Sequence, residues 1–236
     1  MLESLEVTLV IYRRAFARGA VLAVKNWPVF GSIFAYSAIL ASSSFFLVGA
    51  LGMVGGLLSS LITSACVASG LYLVEMIVRT NKVTWEDFTR SFGVYFWDVV
   101  GVTFALWVFW FIAGPIISQV PQGPVVVLAI NLVLVVFFNA VPELIYLGHY
   151  SVMGLLSRSY EFVANNWIEW FPPNLVLLGG LWMLWQFPVD GWPLALAKSA
   201  VLSLALYFAM VVRGLIFIEL DGSTRRARAF RHKMGR

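Results

Sequence analysis

Residues 27–78 read WPVFGSIFAYSAILASSSFFLVGALGMVGGLLSSLITSACVASGLYLVEMIV, apolar or small throughout, with a single charge at Glu75. A bilayer core takes about 20 apolar residues per helix. A run of this length crosses twice if the chain reverses near its middle. Gly49, Gly52, Gly55 and Gly56 stand there, and glycine reaches backbone angles closed to other residues. The run therefore reads as a transmembrane hairpin, with spans over about 28–49 and 53–78.

The same pattern returns along the chain. Trp27, Trp97 and Trp167 are 70 residues apart, and ionisable residues inside apolar runs follow them by 48, 46 and 46 residues, at Glu75, Glu143 and Arg213. A fixed internal period marks a repeated structural unit. The units are about 10–80, 81–150 and 151–220, followed by a basic tail at 221–236, all within one membrane domain over 1–236. Each unit reads as an interfacial amphipathic helix, a Trp anchor, a span, a short turn and a second, charged span. The third span is about 97–118, the turn Gln119 to Gly123, and the fourth about 124–147. The fifth is about 171–187 and opens on Pro172-Pro173; the sixth is about 193–219. The expected fold class is all-α: a polytopic membrane protein of six transmembrane helices in three pseudo-repeated hairpins.

The interfacial segments have their own signals. Leu2, Leu5, Leu9, Tyr12 and Phe16 recur at helical spacing, with Arg13, Arg14, Arg18 and Lys25 among and after them, as in an amphipathic helix on a membrane surface. Glu3 and Glu6 come first, the reverse of the basic start of a cleavable signal. Thr84 with Asp87 is a capping-box-like helix start. Residues 148–170 place Arg158, Glu161 and Asn166 among Leu155, Leu156, Tyr160 and Phe162.

Composition agrees with this class. The chain has 236 residues, 61% hydrophobic and only 12% charged, where soluble domains average about 25% charged. Ten Trp and nineteen Phe suit aromatic belts at the two interfaces. The net charge of +4 sits in loops flanking spans, so it does not indicate nucleic acid. The turns near 49–55, 117–124 and 186–193 have no Lys or Arg, whereas 13–25, 79–90, 158 and 225–236 hold nearly all of them. By the positive-inside rule both termini are cytoplasmic. Lys198 is the exception and reads as an anchor that snorkels to the outer headgroups near Asp190. Cys66 is the only cysteine, which rules out an intrachain disulfide.

Charges at membrane depth are rare and face a bundle interior or a wet cavity. Glu75, Glu143 and Arg213 each lie a few residues from the cytoplasmic end of an even-numbered span. Gly56, Ser60, Ser64 and Ala68 form a small-residue stripe leading to Glu75, and Ala205 and Ala209 lead to Arg213. Asn139 is placed to bond the Glu143 carboxylate, and Pro142 leaves a carbonyl one turn back without its usual donor. Three readings stay open. One is an intramembrane site in which Arg213 pairs with one glutamate and the other exchanges protons or meets a ligand. Another is a structural cluster in which Arg213 bridges both carboxylates and Arg79 joins from the rim. In the third, all three side chains snorkel to the interface.

Signatures of catalysis are few. His149 and His232 are the only histidines, which gives no metal cluster, and no base accompanies the membrane serines. No cofactor motif is present. Asp221-Gly222-Ser223-Thr224-Arg225-Arg226 resembles the opening of the CDP-alcohol phosphotransferase motif, but it lacks the Ala and the later Gly and two Asp, and reads as a glycine stop. Arg225, Arg226, Arg228, Arg231, Lys233 and Arg236 form a basic tail suited to anionic headgroups, each worth about 1 kcal/mol near the surface.

The repeated interfacial helix ending in Asn-Trp or Phe-Trp, most of all SRSYEFVANNWIEWF over 157–171, resembles a loose group of bacterial six-span proteins. These include the membrane domain fused to some glycerophosphodiester phosphodiesterases. No phosphodiesterase domain is present here, so no catalytic residue carries over. The resemblance implies a protein of the bacterial cytoplasmic (inner) membrane. The expected function is non-enzymatic: an accessory, scaffold or assembly subunit whose partners are membrane lipids, anionic on the cytoplasmic side, and other membrane subunits. A small transporter or channel-like protein using the Glu/Glu/Arg site for a proton or an anionic ligand is the alternative, and a lipid-modifying enzyme the third reading.

Overall fold

The computed structural model describes residues 2–148 and 150–223, with Arg228, Phe230 and Met234 beyond them. These residues form α1 (Leu2–Lys25), α2 (Trp27–Thr80), α3 (Trp85–Val94), α4 (Phe96–Ile117), α5 (Gly123–Phe137), α6 (Val141–Leu147), α7 (Val152–Gln186) and α8 (Trp192–Leu220), with no strand among them. Among the described residues, four stretches are long and apolar enough to cross a membrane: Trp27–Thr80, Trp85–Ile117, Gly123–Leu147 and Trp192–Leu220.

The 54 residues of α2 would make a straight rod of about 80 Å, far longer than a bilayer core of about 30 Å. The helix instead breaks at Gly52, where φ is 54° and ψ is −123°, angles that only glycine adopts without strain. Past Gly52 the chain runs back along itself. Ser44 Oγ is 3.3 Å from Ser59 Oγ, and Tyr36 Oη is 2.6 Å from Ser69 Oγ. Fifteen residues of unbroken helix would separate the two serines by about 22 Å, so these contacts require the reversal. Of the four glycines expected to make the turn, Gly52 alone has positive φ. The turn also sets the phase of the second half. Ser64 and Ala68 are buried as expected, but Gly55 and Ser59 take the inward places that Gly56 and Ser60 were expected to fill.

Prolines shape two further elements differently from expectation. The 124–147 segment is two helices, interrupted at Phe138–Ala140 ahead of Pro142. Segments 148–170 and 171–187 are instead one continuous helix, α7, with Pro172 and Pro173 inside it. Pro173 has no N–H to offer the Glu169 carbonyl, and the Tyr12 hydroxyl donates to that oxygen at 2.7 Å instead. The start of α3 follows its sequence signal: the Thr84 amide donates to Asp87 Oδ2 at 2.8 Å, and the Asp87 amide to Thr84 Oγ1 at 3.3 Å.

Helix α8 is the hub, packing against α1, α2, α6 and α7. The core lies toward the ends marked by Thr80, Leu147 and Leu220, with Val74, Leu144, Tyr146, Trp170 and Phe217 fully or nearly fully buried. The opposite ends and the outer faces of α4 and α5 are exposed and apolar, with Met53, Trp107, Phe111 and Leu128 among them. The inward face of α1 is Ala15, Gly19, Leu22 and Ala23, with Phe16 against Phe208 of α8 at 6.1 Å between ring centroids. Leu9, expected on the apolar face, is exposed. This helix docks on the bundle through small residues that allow close approach, rather than resting only on a surface. Asn26, buried where α1 meets α2, ties that junction to the loop after α2. Its Nδ2 donates to the Leu22 and Asn81 carbonyls, and its Oδ1 accepts from the Val83 amide.

Candidate functional site

Arg213 sits in the packed half of α8 with 6% of its surface exposed. A guanidinium has five N–H donors and no acceptor, and here all five are taken. Nε donates to Glu143 Oε1 at 2.7 Å and Nη2 to Glu143 Oε2 at 2.8 Å. This is the two-pronged carboxylate geometry that gives arginine its strongest pairs. The second Nη2 hydrogen goes to the Asn139 carbonyl at 2.7 Å. Nη1 donates to Asn174 Oδ1 at 2.7 Å and to Asn139 Oδ1 at 3.3 Å. The Trp170 ring lies 5.1 Å from the guanidinium carbon, and its indole N–H donates to Asn139 Oδ1 at 3.0 Å. The break before Pro142 is what opens the Asn139 carbonyl to a side-chain donor. Glu143 itself is 1% exposed.

Glu75 belongs to a separate group. Arg79, one turn later on α2, reaches its Oε1 at 3.0 Å, and the Tyr95 hydroxyl donates to its Oε2. Arg79 also donates to the Leu147 carbonyl at 3.2 Å, and its side chain keeps 42% exposure. The expectation that Arg213 bridges both glutamates is therefore corrected. Its donors are filled by Glu143 and two asparagines, while Glu75 is met by the arginine of its own helix. Asn139 is corrected too: its oxygens face Arg213 and Trp170 rather than the Glu143 carboxylate. Tyr146 stands between the groups. Its carbonyl accepts from Tyr95 at 3.4 Å, and its fully buried hydroxyl has no partner among the described residues.

A third buried pair joins Arg228 to Glu169 at 3.5 Å, each side chain 4% exposed. Arg228 also donates to the Leu220 and Ser223 carbonyls. It holds the end of α8 against α7, which corrects its expected role at lipid headgroups. Arg225, Arg226, Arg231, Lys233 and Arg236, and both His149 and His232, lie outside the described residues. Arg158 pairs with Glu161 at 2.8 Å and Asp221 at 3.0 Å. The hydrogen bond to Glu161 holds its guanidinium above the usual range, against partial burial and with help from Asp221. Trp27, Trp97 and Trp167 are all exposed. Lys198 does not reach Asp190; its ammonium donates to the Trp185 and Phe187 carbonyls at 2.6 and 2.8 Å, closing the end of α7.

Asn174, Trp170, Tyr95 and Glu169 belong to these groups without having been singled out from sequence. Asn174 had a usable signal, being an amide directly after Pro172-Pro173 at the head of an apolar run. Compared with known proteins, the chain matches no family model, no curated protein and no solved structure.

Proposed function

We propose that this chain is a non-enzymatic integral membrane protein, an accessory, scaffold or assembly subunit that holds protein partners or lipid in the bilayer. The observation behind this reading is the saturation of Arg213: all five donors end on protein acceptors. A site built to take an anionic ligand leaves donors for it, whereas this one fixes α6, α7 and α8 to one another. The exposed apolar faces of α4 and α5 supply surface for lipid or a partner helix.

In this reading the membrane is the bacterial cytoplasmic (inner) membrane, and the chain crosses it six times as three hairpins with both termini inside. The reversal at Gly52, the apolar second half of α7 and the placement of Lys and Arg support that count and orientation. A small transporter is the second reading. The Glu75 group favours it, because Arg79 is half exposed beside a buried carboxylate.

The test is affinity purification in mild detergent with mass spectrometry, for the native chain and for Glu143→Gln and Glu75→Gln. The expected result is a stoichiometric membrane partner that survives Glu75→Gln. A chain that purifies alone, and whose proton-coupled uptake in proteoliposomes is abolished by Glu75→Gln, would replace the subunit with a transporter.

A further inference from the structure

A groove of about 550 Å³ runs between both halves of α2, the end of α7 and α8, within the range of sites that bind small ligands. Its α8 wall has an order of chemistry along its length. Ser199 and Ser203 come first, one turn apart, then Leu206 and Met210, facing Ile33 and Leu40 of α2. Lys198 precedes Ser199 on α8 and is not itself part of the groove wall, but its ammonium lies 5.7 Å from the centroid of the Trp185 ring, which is. Two of its three donors go to backbone carbonyls and none to a carboxylate among the described residues. Ser203 is 5% exposed. Neither its hydroxyl nor that of Ser199 has a hydrogen-bond partner among the described residues, and both open into the groove.

A cation, then two free hydroxyls, then hydrocarbon is the order of groups that an anionic phospholipid presents from phosphate to glycerol ester to acyl chain. We propose that this groove binds one anionic phospholipid from the leaflet on the side of the Phe187–Trp192 turn. Its phosphate sits on Lys198, its ester oxygens accept from Ser199 and Ser203, and one acyl chain lies along Leu206 and Met210 toward Ile33. The tail gains little by leaving a bilayer as apolar as the groove, so the polar end selects the lipid and the groove wall excludes other occupants. This assignment rests on the reading that the chain spans a membrane with this turn at one surface.

Two variants separate the terms. Gly70 lines the groove, and a Cβ there would meet no atom within 4 Å, so Gly70→Leu starts its side chain in open space and extends it into the groove while improving helix propensity. Lys198→Gln removes the cation and leaves the groove open. The protein would be reconstituted in phosphatidylcholine nanodiscs containing phosphatidylglycerol with a photoreactive group in its acyl chain, and the labelled peptides mapped. Labelling should concentrate on residues 199–210 and 33–40, fall about tenfold or more in Gly70→Leu, an occupancy change of at least ~1.4 kcal/mol, and lose its preference over a photoreactive phosphatidylcholine in Lys198→Gln. Labelling spread evenly over α4, α5 and α8, or unchanged in Gly70→Leu with unfolding midpoints intact, overturns the site. A partner captured by a chain that shows no focused labelling would leave the subunit reading standing and remove only this one.

Discussion

Replacing either member of the Arg213–Glu143 pair strands the other in a site where the two are 6% and 1% exposed. Removing one partner of a buried pair costs about 3–5 kcal/mol, whereas replacing both with apolar residues is often near neutral. The neutral contacts matter less, since interhelical hydrogen bonds in membranes average about 0.6 kcal/mol. Arg213→Met and Glu143→Leu should therefore each lose about 3–5 kcal/mol. The double variant leaves the Asn139 carbonyl and the Asn174 amide oxygen short of a donor and should lose only about 1 kcal/mol. Coupling between the sites should reach at least about 3 kcal/mol. Arg79→Ala, at a half-exposed pair, should cost no more than about 1 kcal/mol. The assay is reversible unfolding in mixed detergent micelles followed by far-UV circular dichroism, because Trp170 against Arg213 would confound fluorescence. Single losses below about 1 kcal/mol, or an additive double variant, would refute the dry clamp and put water or a ligand at Arg213.

Three further outcomes test the packing. Gly52→Ala should cost about 1–2 kcal/mol in the same unfolding assay, since any Cβ strains a left-handed backbone; a neutral result would mean the hairpin turns elsewhere. Gly214→Ala puts a methyl 2.6 Å from Tyr146 Oη and 3.1 Å from Val78 Cγ2, an overpacking loss of about 1–3 kcal/mol. Adding Tyr146→Phe should recover much of it, and failure to recover would place the clash elsewhere. For Tyr12, burial and then the Glu169 carboxylate push the phenol from 10.0 up to about 12. The unfolded chain gives up that proton first, so the stabilisation is complete below pH 10 and is lost as pH rises to about 12. The gap in unfolding midpoint between the native chain and Tyr12→Phe should close over that window, and a constant gap would contradict the burial of Tyr12.

The elements were largely legible because their signals are local. A glycine in an apolar run marks a reversal, Thr84 with Asp87 starts a helix, and unbroken apolar stretches form long helices. What sequence did not give is partner choice among charges. Glu75, Glu143 and Arg213 follow Trp27, Trp97 and Trp167 at nearly equal spacing, and spacing alone brings them together. Partner choice depends instead on the i,i+4 reach of Arg79 to Glu75 and on the break before Pro142 that turns the Asn139 carbonyl toward Arg213. Pro172 and Pro173 misled in the opposite sense. A proline inside a helix costs the hydrogen bond to the carbonyl one turn back; Tyr12, some 157 residues away, replaces that bond at Glu169, and α7 continues through both prolines.

The two charge groups differ in what they allow the protein to do. For Glu143 to release Arg213 and accept a proton or cation, a guanidinium with five fixed acceptors must lose two of them inside a dry core, at about 3–5 kcal/mol. That suits a joint that must not move. Glu75 faces a different exchange: Tyr95 is a neutral donor, and Arg79 already reaches the surface at 42% exposure. For Arg79 to swing to water costs its ion pair and its bonds to the Tyr146 and Leu147 carbonyls, but leaves Tyr95 on the carboxylate and the Arg213 group intact. Any transport by this chain would therefore run through Glu75, with the Arg213 group as its fixed frame, and Glu75→Gln is the substitution that separates a subunit from a transporter.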